Sequence, residues 1–269
     1  MTGKNYRISC TAGVSESIGF LLIFTIVIAG IGLVTLYGYP MLLKQQTSAD
    51  EQIMQKNMIV LQNDLKSLAY KTVPYKETSL KIGGGALMVY NSSYTPASST
   101  IKIYDQNNIV YVNVFQSGDL LYSSDSAGTD ISLQNGAVVK RQHAEQGSVM
   151  LAEPRWFYDS ETKTMVINFV NLTSTGIMAK TGVGTVQMVL GEARFQKTDT
   201  PPLATPVYLE YTPDPVQDYS IAWNNYFTNP SLGMTLLSGT PGTGTMLKYQ
   251  LPDTTTLVIK QYEVNIKSL

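Results

Sequence analysis

Three patterns of apolar and polar positions follow one another along this 269-residue chain. In the first, no residue from Ser17 to Leu43 is charged. The central run, Ile18–Tyr39, is 22 residues of mainly Ile, Leu, Val, Phe, Gly and Ala, with Thr25 and Thr35 as its aliphatic hydroxyls. At 1.5 Å per residue a helix of this length covers ~33 Å, matching a bilayer hydrocarbon core of ~30 Å. A cleaved secretory signal has a shorter apolar region, ~7–15 residues, with a small-residue cleavage site after it. This run instead ends in Tyr37, Tyr39 and Pro40, and the tyrosines suit an interfacial aromatic belt. Residues 14–40 are therefore expected to cross a membrane as one helix surrounded by lipid. Lys4 and Arg7 precede it, so the positive-inside tendency puts the N-terminus in the cytoplasm and everything beyond Pro40 outside. Lys44 is a single opposing charge on the outer side.

The second pattern, over residues 41–73, is that of an amphipathic stalk helix. Met54, Met58, Leu61, Leu65 and Leu68 recur at spacings of four and three, and Lys56, Asp64 and Lys66 lie off the stripe. Pro40 is expected to kink the helix where it leaves the membrane, and Val73-Pro74 to end it. From residue 75 to 269 the pattern is strand and turn. Strands are predicted at Leu80–Tyr90, Thr100–Tyr104, Ile109–Phe115, Leu120–Ser123, Ala137–Lys140 and Ser148–Ala152. Further ones are predicted at Trp156–Tyr158, Thr164–Val170, Thr185–Phe195, Val207–Tyr211, Met246–Gln250 and Thr256–Ile266. Turn signals such as Gln106-Asn107-Asn108, Ser117-Gly118-Asp119 and Asn135-Gly136 separate them. A short helix is expected within Pro215–Phe227, where Trp223 and Phe227 are four apart. Gly83-Gly84-Gly85 has no Gly-Lys-Ser/Thr beside it, so it reads as a bulge and not as a phosphate cradle. The expected fold class is α+β: a long N-terminal transmembrane and stalk helix, then an antiparallel β-sandwich-like extracellular domain.

Composition narrows the function. The net charge of −1 offers no basic face for nucleic acid. Charged residues are only 14% of the chain, against ~25% in an ordinary soluble protein, so Ser, Thr, Asn, Gln and Tyr supply much of the polar surface. The one cysteine, Cys10, rules out an intrachain disulfide, and it stands on the wrong side of the apolar run for a lipoprotein box. The one histidine, His143, reads as a solvated loop residue. No His/Cys cluster for zinc and no Gly-x-Ser-x-Gly elbow is present. Asp119, Asp125 and Asp130 do not have EF-hand spacing and read as turn acids. The chain is thus expected to be no enzyme, with no catalytic, cofactor or metal site. Asn91-Ser92-Ser93 and Asn171-Leu172-Thr173 are candidate glycosylation acceptors on an outer domain.

The N-terminal order carries a resemblance. A basic leader over 1–13 ends in Thr11-Ala12-Gly13; Val14-Ser15-Glu16 and the apolar run follow. This order resembles the N-terminus of archaeal type IV pilins. The stretch Gly13-Val14-Ser15-Glu16-Ser17-Ile18-Gly19-Phe20-Leu21-Leu22-Ile23-Phe24, with Leu36-Tyr37-Gly38-Tyr39-Pro40 after it, is especially similar to pilin-like membrane proteins of halophilic and methanogenic archaea. The resemblance implies that a prepilin peptidase-like enzyme cuts after Thr11, Ala12 or Gly13 and leaves the helix in place. A cut after Thr11 makes Glu16 the fifth mature residue, the usual position of the pilin glutamate; the preference for small residues favours Ala12 or Gly13. A carboxylate at the edge of an apolar filament core needs a partner, and a neighbouring subunit's N-terminal ammonium can supply one. Read without the resemblance, Glu16 is an acid favoured by the dipole at a helix N-terminus. Gly19, Ala29, Gly30, Gly32 and Gly38 permit close helix approach, hence self-association. Two functions are carried forward: a pilin-like subunit that assembles into adhesive filaments, and a non-polymerising, membrane-anchored adhesion or binding module.

Overall fold

The computed structural model describes residues 11–71, 73–91, 99–143, 147–198 and 203–269, and their side chains from Ser17 on, except 196–198. It divides into two compact units, Met1–Ser48 and Ala49–Leu269. The leader residues 1–10, with Lys4, Arg7 and Cys10, lie outside the described ones.

The first unit is helical. Helix α1 (Thr11–Leu33) continues through one π-helical turn, Val34–Gly38, into α2 (Tyr39–Lys71). The disturbance expected at Pro40 takes this form. Proline has no N–H to return to the carbonyl four residues back. The ladder loosens one turn before it, and Tyr39 N–H bonds Val34 O, five residues back.

In the second unit, α2 buries the predicted stripe completely. Met54, Met58, Leu61, Leu65 and Leu68 are all 0% exposed. They pack on one face of a nine-stranded sheet. In spatial order its strands are β7 (Ser148–Ala152), β6 (Ala137–Gln142), β5 (Thr129–Gln134), β4 (Asp119–Ser124), β1 (Tyr75–Tyr90), β10 (Met178–Thr198), β14 (Thr256–Ser268), β9 (Thr164–Ser174) and β8 (Phe157–Asp159). This helix-side core takes Leu80 and Val89 from β1, Tyr122 from β4, Ile131 from β5, Val186 from β10 and Val264 from β14. The opposite face of the sheet meets a second sheet of five strands. Its order is β12 (Thr235–Ser238), β13 (Leu247–Gln250), β11 (Val207–Thr212), β2 (Thr100–Asp105) and β3 (Val110–Gln116). Helix α3 (Ser220–Phe227) closes that second core. Trp156, Trp223, Phe227, Phe169 and Tyr249 form its centre; the Trp156 and Phe227 rings stack at 5.5 Å. Nearly every pairing is antiparallel. The exception is β14 with β9, which run parallel from Thr256↔Thr164 to Ile266↔Ser174.

The triple glycine is a bulge in β1. Pairing with β10 passes from Ile82↔Gly182 to Leu87↔Lys180, so five steps along β1 match two along β10. Side chains alternate along a strand, so Ile82 and Leu87, an odd number apart, would face opposite ways in a regular one. The bulge restores the phase, and both enter the helix-side core. Gly84 has φ +65°, and a Cβ on Gly85 would lie 2.3 Å from Ser123 O.

Two strands were not predicted, β5 and β12, and β1, β9 and β10 are longer than expected. Every residue of β5 is buried, Asp130, Ser132 and Gln134 included. Asp119 and Asp130 are therefore strand residues, contrary to the expectation of turn acids; only Asp125 lies in a turn.

Candidate functional site in the N-terminal apolar helix

Side by side, α1 and the π-turn present apolar surface all round. From Ser17 to Leu43 every residue is exposed except Gly32 and Gly38, which are half-buried. Phe20 is 73% and Leu36 70% exposed. Large apolar side chains on this stretch contribute ~1.5–3 kcal/mol each when fully buried, so leaving all of them in water costs tens of kcal/mol. Among the described residues this is one helix long and apolar enough to cross a membrane, and its most apolar window is wholly unburied.

The two threonine hydroxyls of the apolar run are satisfied within the helix. Thr25 Oγ1 donates to Leu21 O at 2.7 Å, and Thr35 Oγ1 to Ile31 O at 2.9 Å. Such back-bonding lets a hydroxyl enter hydrocarbon without a lost hydrogen bond. A Cβ added to Gly19, Gly30 or Gly32 would meet nothing within 4 Å, so these positions leave the backbone bare on the helix surface. Phe20 and Phe24 stack at 6.2 Å on one face.

The predicted processing and assembly positions, Thr11, Ala12, Gly13 and Glu16, lie on the backbone of α1; their side chains lie outside the described ones. All three candidate cleavage positions fall within the described helix α1, Thr11–Leu33.

On the second unit the two glycosylation candidates sit in ordered structure. Asn91 is 6% exposed, and its Nδ2, the atom a glycan would occupy, donates to Ser174 O at 2.8 Å. Asn171 is a half-buried residue of β9 whose Oδ1 accepts from Gly118 N at 3.1 Å. His143 is partly exposed but engaged, with Nε2 at 2.8 Å from Asp130 Oδ1. Ser123 Oγ and Arg141 also donate to the Asp130 carboxylate. Burial opposes its ionisation, but the hydrogen bonds from His143, Ser123 and Arg141 outweigh it and hold the carboxyl below its usual range. Asp119 is the converse. Burial pushes its carboxyl up to about 7; the Ser132 hydrogen bond opposes this, and the charges of Asp214 and Asp130 add to it. Among the described residues no three His, Cys, Asp or Glu side chains are gathered to hold a metal ion.

A family model, described as a family of unknown function (DUF7289), matches residues 13–267. The chain belongs to that family. The match starts at Gly13, so it takes in the apolar helix and the β domain together and leaves out the basic leader. No curated protein and no solved structure matches the chain.

Proposed function

We propose that this DUF7289 chain is a type IV pilin-like surface subunit. The N-terminal helix crosses the membrane once, with the leader in the cytoplasm and the β domain outside. After removal of the leader, the helix packs with copies of itself in a filament whose outer surface is the β domain. The observation that carries this reading is the helix from Ser17 to Leu43, apolar all round and left uncovered by the described residues. A surface of that size requires lipid or other helices as its solvent. The internally bonded Thr25 and Thr35 and the bare Gly19, Gly30 and Gly32 support both environments in turn. The resemblance of the segment from Gly13 to Phe24 to archaeal pilin-like proteins selects the filament, with adhesion as the role of the outer domain.

The test is the mature N-terminus and the fate of Glu16. Mass spectrometry of membrane and sheared-filament fractions is expected to find a chain starting at Ala12, Gly13 or Val14. Glu16→Ala is expected to insert in the membrane but to disappear from sheared filaments. An intact leader, with no recovery in the sheared fraction, rejects the filament and leaves a monomeric anchored binding module.

A further inference from the structure

Residues 153–156 run beside the last turns of α2, and their inner side is fully committed. Gln62, 1% exposed, donates from Nε2 to Gly136 O at 2.7 Å and Glu153 O at 2.9 Å. Tyr226 Oη donates to Pro154 O at 3.1 Å, Asn168 Nδ2 donates to Arg155 O, and Trp156 Nε1 donates to Asn168 O at 2.8 Å. A backbone pinned in this way turns Arg155 outward on a rigid support.

The Arg155 guanidinium lies over the Tyr70 ring, 5.0 Å from its centroid, and Tyr70 meets Tyr262 edge-on at 5.3 Å. Lys66 stands one helical turn before Tyr70, and its Nζ donates to Glu153 O at 3.2 Å. Neither cation forms an ion pair among the described residues, although the Glu153 side chain is close enough to act on Lys66. Burial lowers the Lys66 ammonium below the usual lysine value, the Arg155 charge adds to this, and Glu153 opposes it. Two like charges thus stand together, Lys66 partly stripped of water and Arg155 exposed, with the Glu153 carboxylate only partly offsetting them. Grooves open on both sides of the stacked pair. One, of about 540 Å³, adds Asn63 and Ser67. The other, of about 480 Å³, adds Asn168, Phe157 and Lys260.

Stacking on a ring occupies the face of a guanidinium and leaves its edge donors free, the arrangement that takes a planar acceptor two-pronged. The surrounding rings, amides and hydroxyl suit a partner with a flat apolar face and its own hydroxyls. The floor of the second groove comes from the paired strands β9, β10 and β14, with Phe157 of the short edge strand β8 at its side. We propose that this double groove binds a carboxylate-bearing sugar ring, a hexuronic acid, with Arg155 and Lys66 on the carboxylate and Tyr70 and Phe157 along the ring. The site does not depend on the filament reading, because an anchored monomer would present it equally.

Titration calorimetry on the full-length chain in detergent micelles, with galacturonic acid as probe, tests this. Galacturonic acid is expected to bind and galactose not to. Arg155→Ala and Arg155→Lys are each expected to weaken binding by about tenfold or more, since a single ammonium cannot fork. Both changes are at an exposed position, and an unchanged circular dichroism spectrum separates lost binding from lost fold. Tighter binding of trigalacturonic acid supports a polymeric acidic glycan as the source, and equal binding supports the free sugar acid. No heat from either acid, undiminished binding in Arg155→Ala, or equal affinity for acetate or a polyglutamate peptide overturns the proposal.

Discussion

Two buried carboxyls give the second unit opposing pH dependences. In an unfolded chain an aspartate titrates near pH ~3.9. Asp119 in the folded state holds its proton up to about 7, because burial disfavours its charge. Between those values the folded chain binds a proton that the unfolded chain has lost, so stability falls as pH rises through that window. Asp130 works in the opposite direction. Its lowered carboxyl contributes stability above the ordinary carboxylate range and loses it as pH falls below that range. The melting temperature of the full chain in detergent is expected to decline from pH 5 to pH 8, and Asp119→Asn to flatten that decline while leaving the acid limb unchanged. An equally steep decline in D119N would show that another group is responsible. These roles were not legible in the sequence. Asp119, Asp125 and Asp130 share a Ser/Gly-rich stretch and look alike there. What separates Asp130 is that both faces of β5 are covered, so its side chain is buried among its donors, whereas Asp125 stays in an exposed turn. His143 read as a free loop residue for the same reason: its partner Asp130 comes from a strand that the sequence did not announce.

Among the elements, those with a strong period were legible. The 4-3-4-3 stripe of α2 identified the apolar centre of its buried face, though Gln62 and Ala69, also buried, were not in it. The strand β5 was missed although Ile131 and Leu133 alternate with Asp130, Ser132 and Gln134, and the alternation gives no sign that the polar face is buried as well. The parallel pairing of β14 with β9 was also invisible, since alternation along a strand says nothing of its neighbour's direction. The bulge at Gly83–Gly85 was legible as punctuation, but its purpose was not. It shifts β1 so that Leu80, Ile82, Leu87 and Val89 all reach α2. Gly85→Ala would set a methyl group 2.3 Å from a backbone carbonyl that no rotamer change can move. A loss of ~2–3 kcal/mol is expected, seen as a drop in melting temperature of ~5–10 °C. Gly176→Ala, where a Cβ meets nothing within 4 Å, is the matched control and is expected to melt with the wild type.

For the whole molecule, the division after Ser48 separates two kinds of solvent requirement. The described side chains of the first unit are mainly apolar and form no core, whereas the second unit holds two cores of its own. A chain beginning at Ala49 is therefore expected to be soluble without detergent, monomeric by light scattering, and to melt cooperatively. It retains the whole buried stripe of α2 from Met54 to Leu68. Aggregation of that fragment would show that the N-terminal helix contributes to the fold as well as to the anchorage. The long apolar helix was the most legible part of the sequence, because an uncharged run of this length marks itself out by composition alone. The Tyr70–Arg155 groove was the least legible, since it joins positions 85 residues apart that carry no motif.

Trp156 and Trp223 are the chain's two tryptophans, and their rings lie 6.1 Å apart in one aromatic cluster. Indole emission is consequently a private optical channel to the core between the two sheets. The helix-side core has no indole and is silent in that channel, though far-ultraviolet ellipticity follows α2 directly. Recording both signals during denaturation resolves whether the two cores let go together or in sequence, with no label introduced.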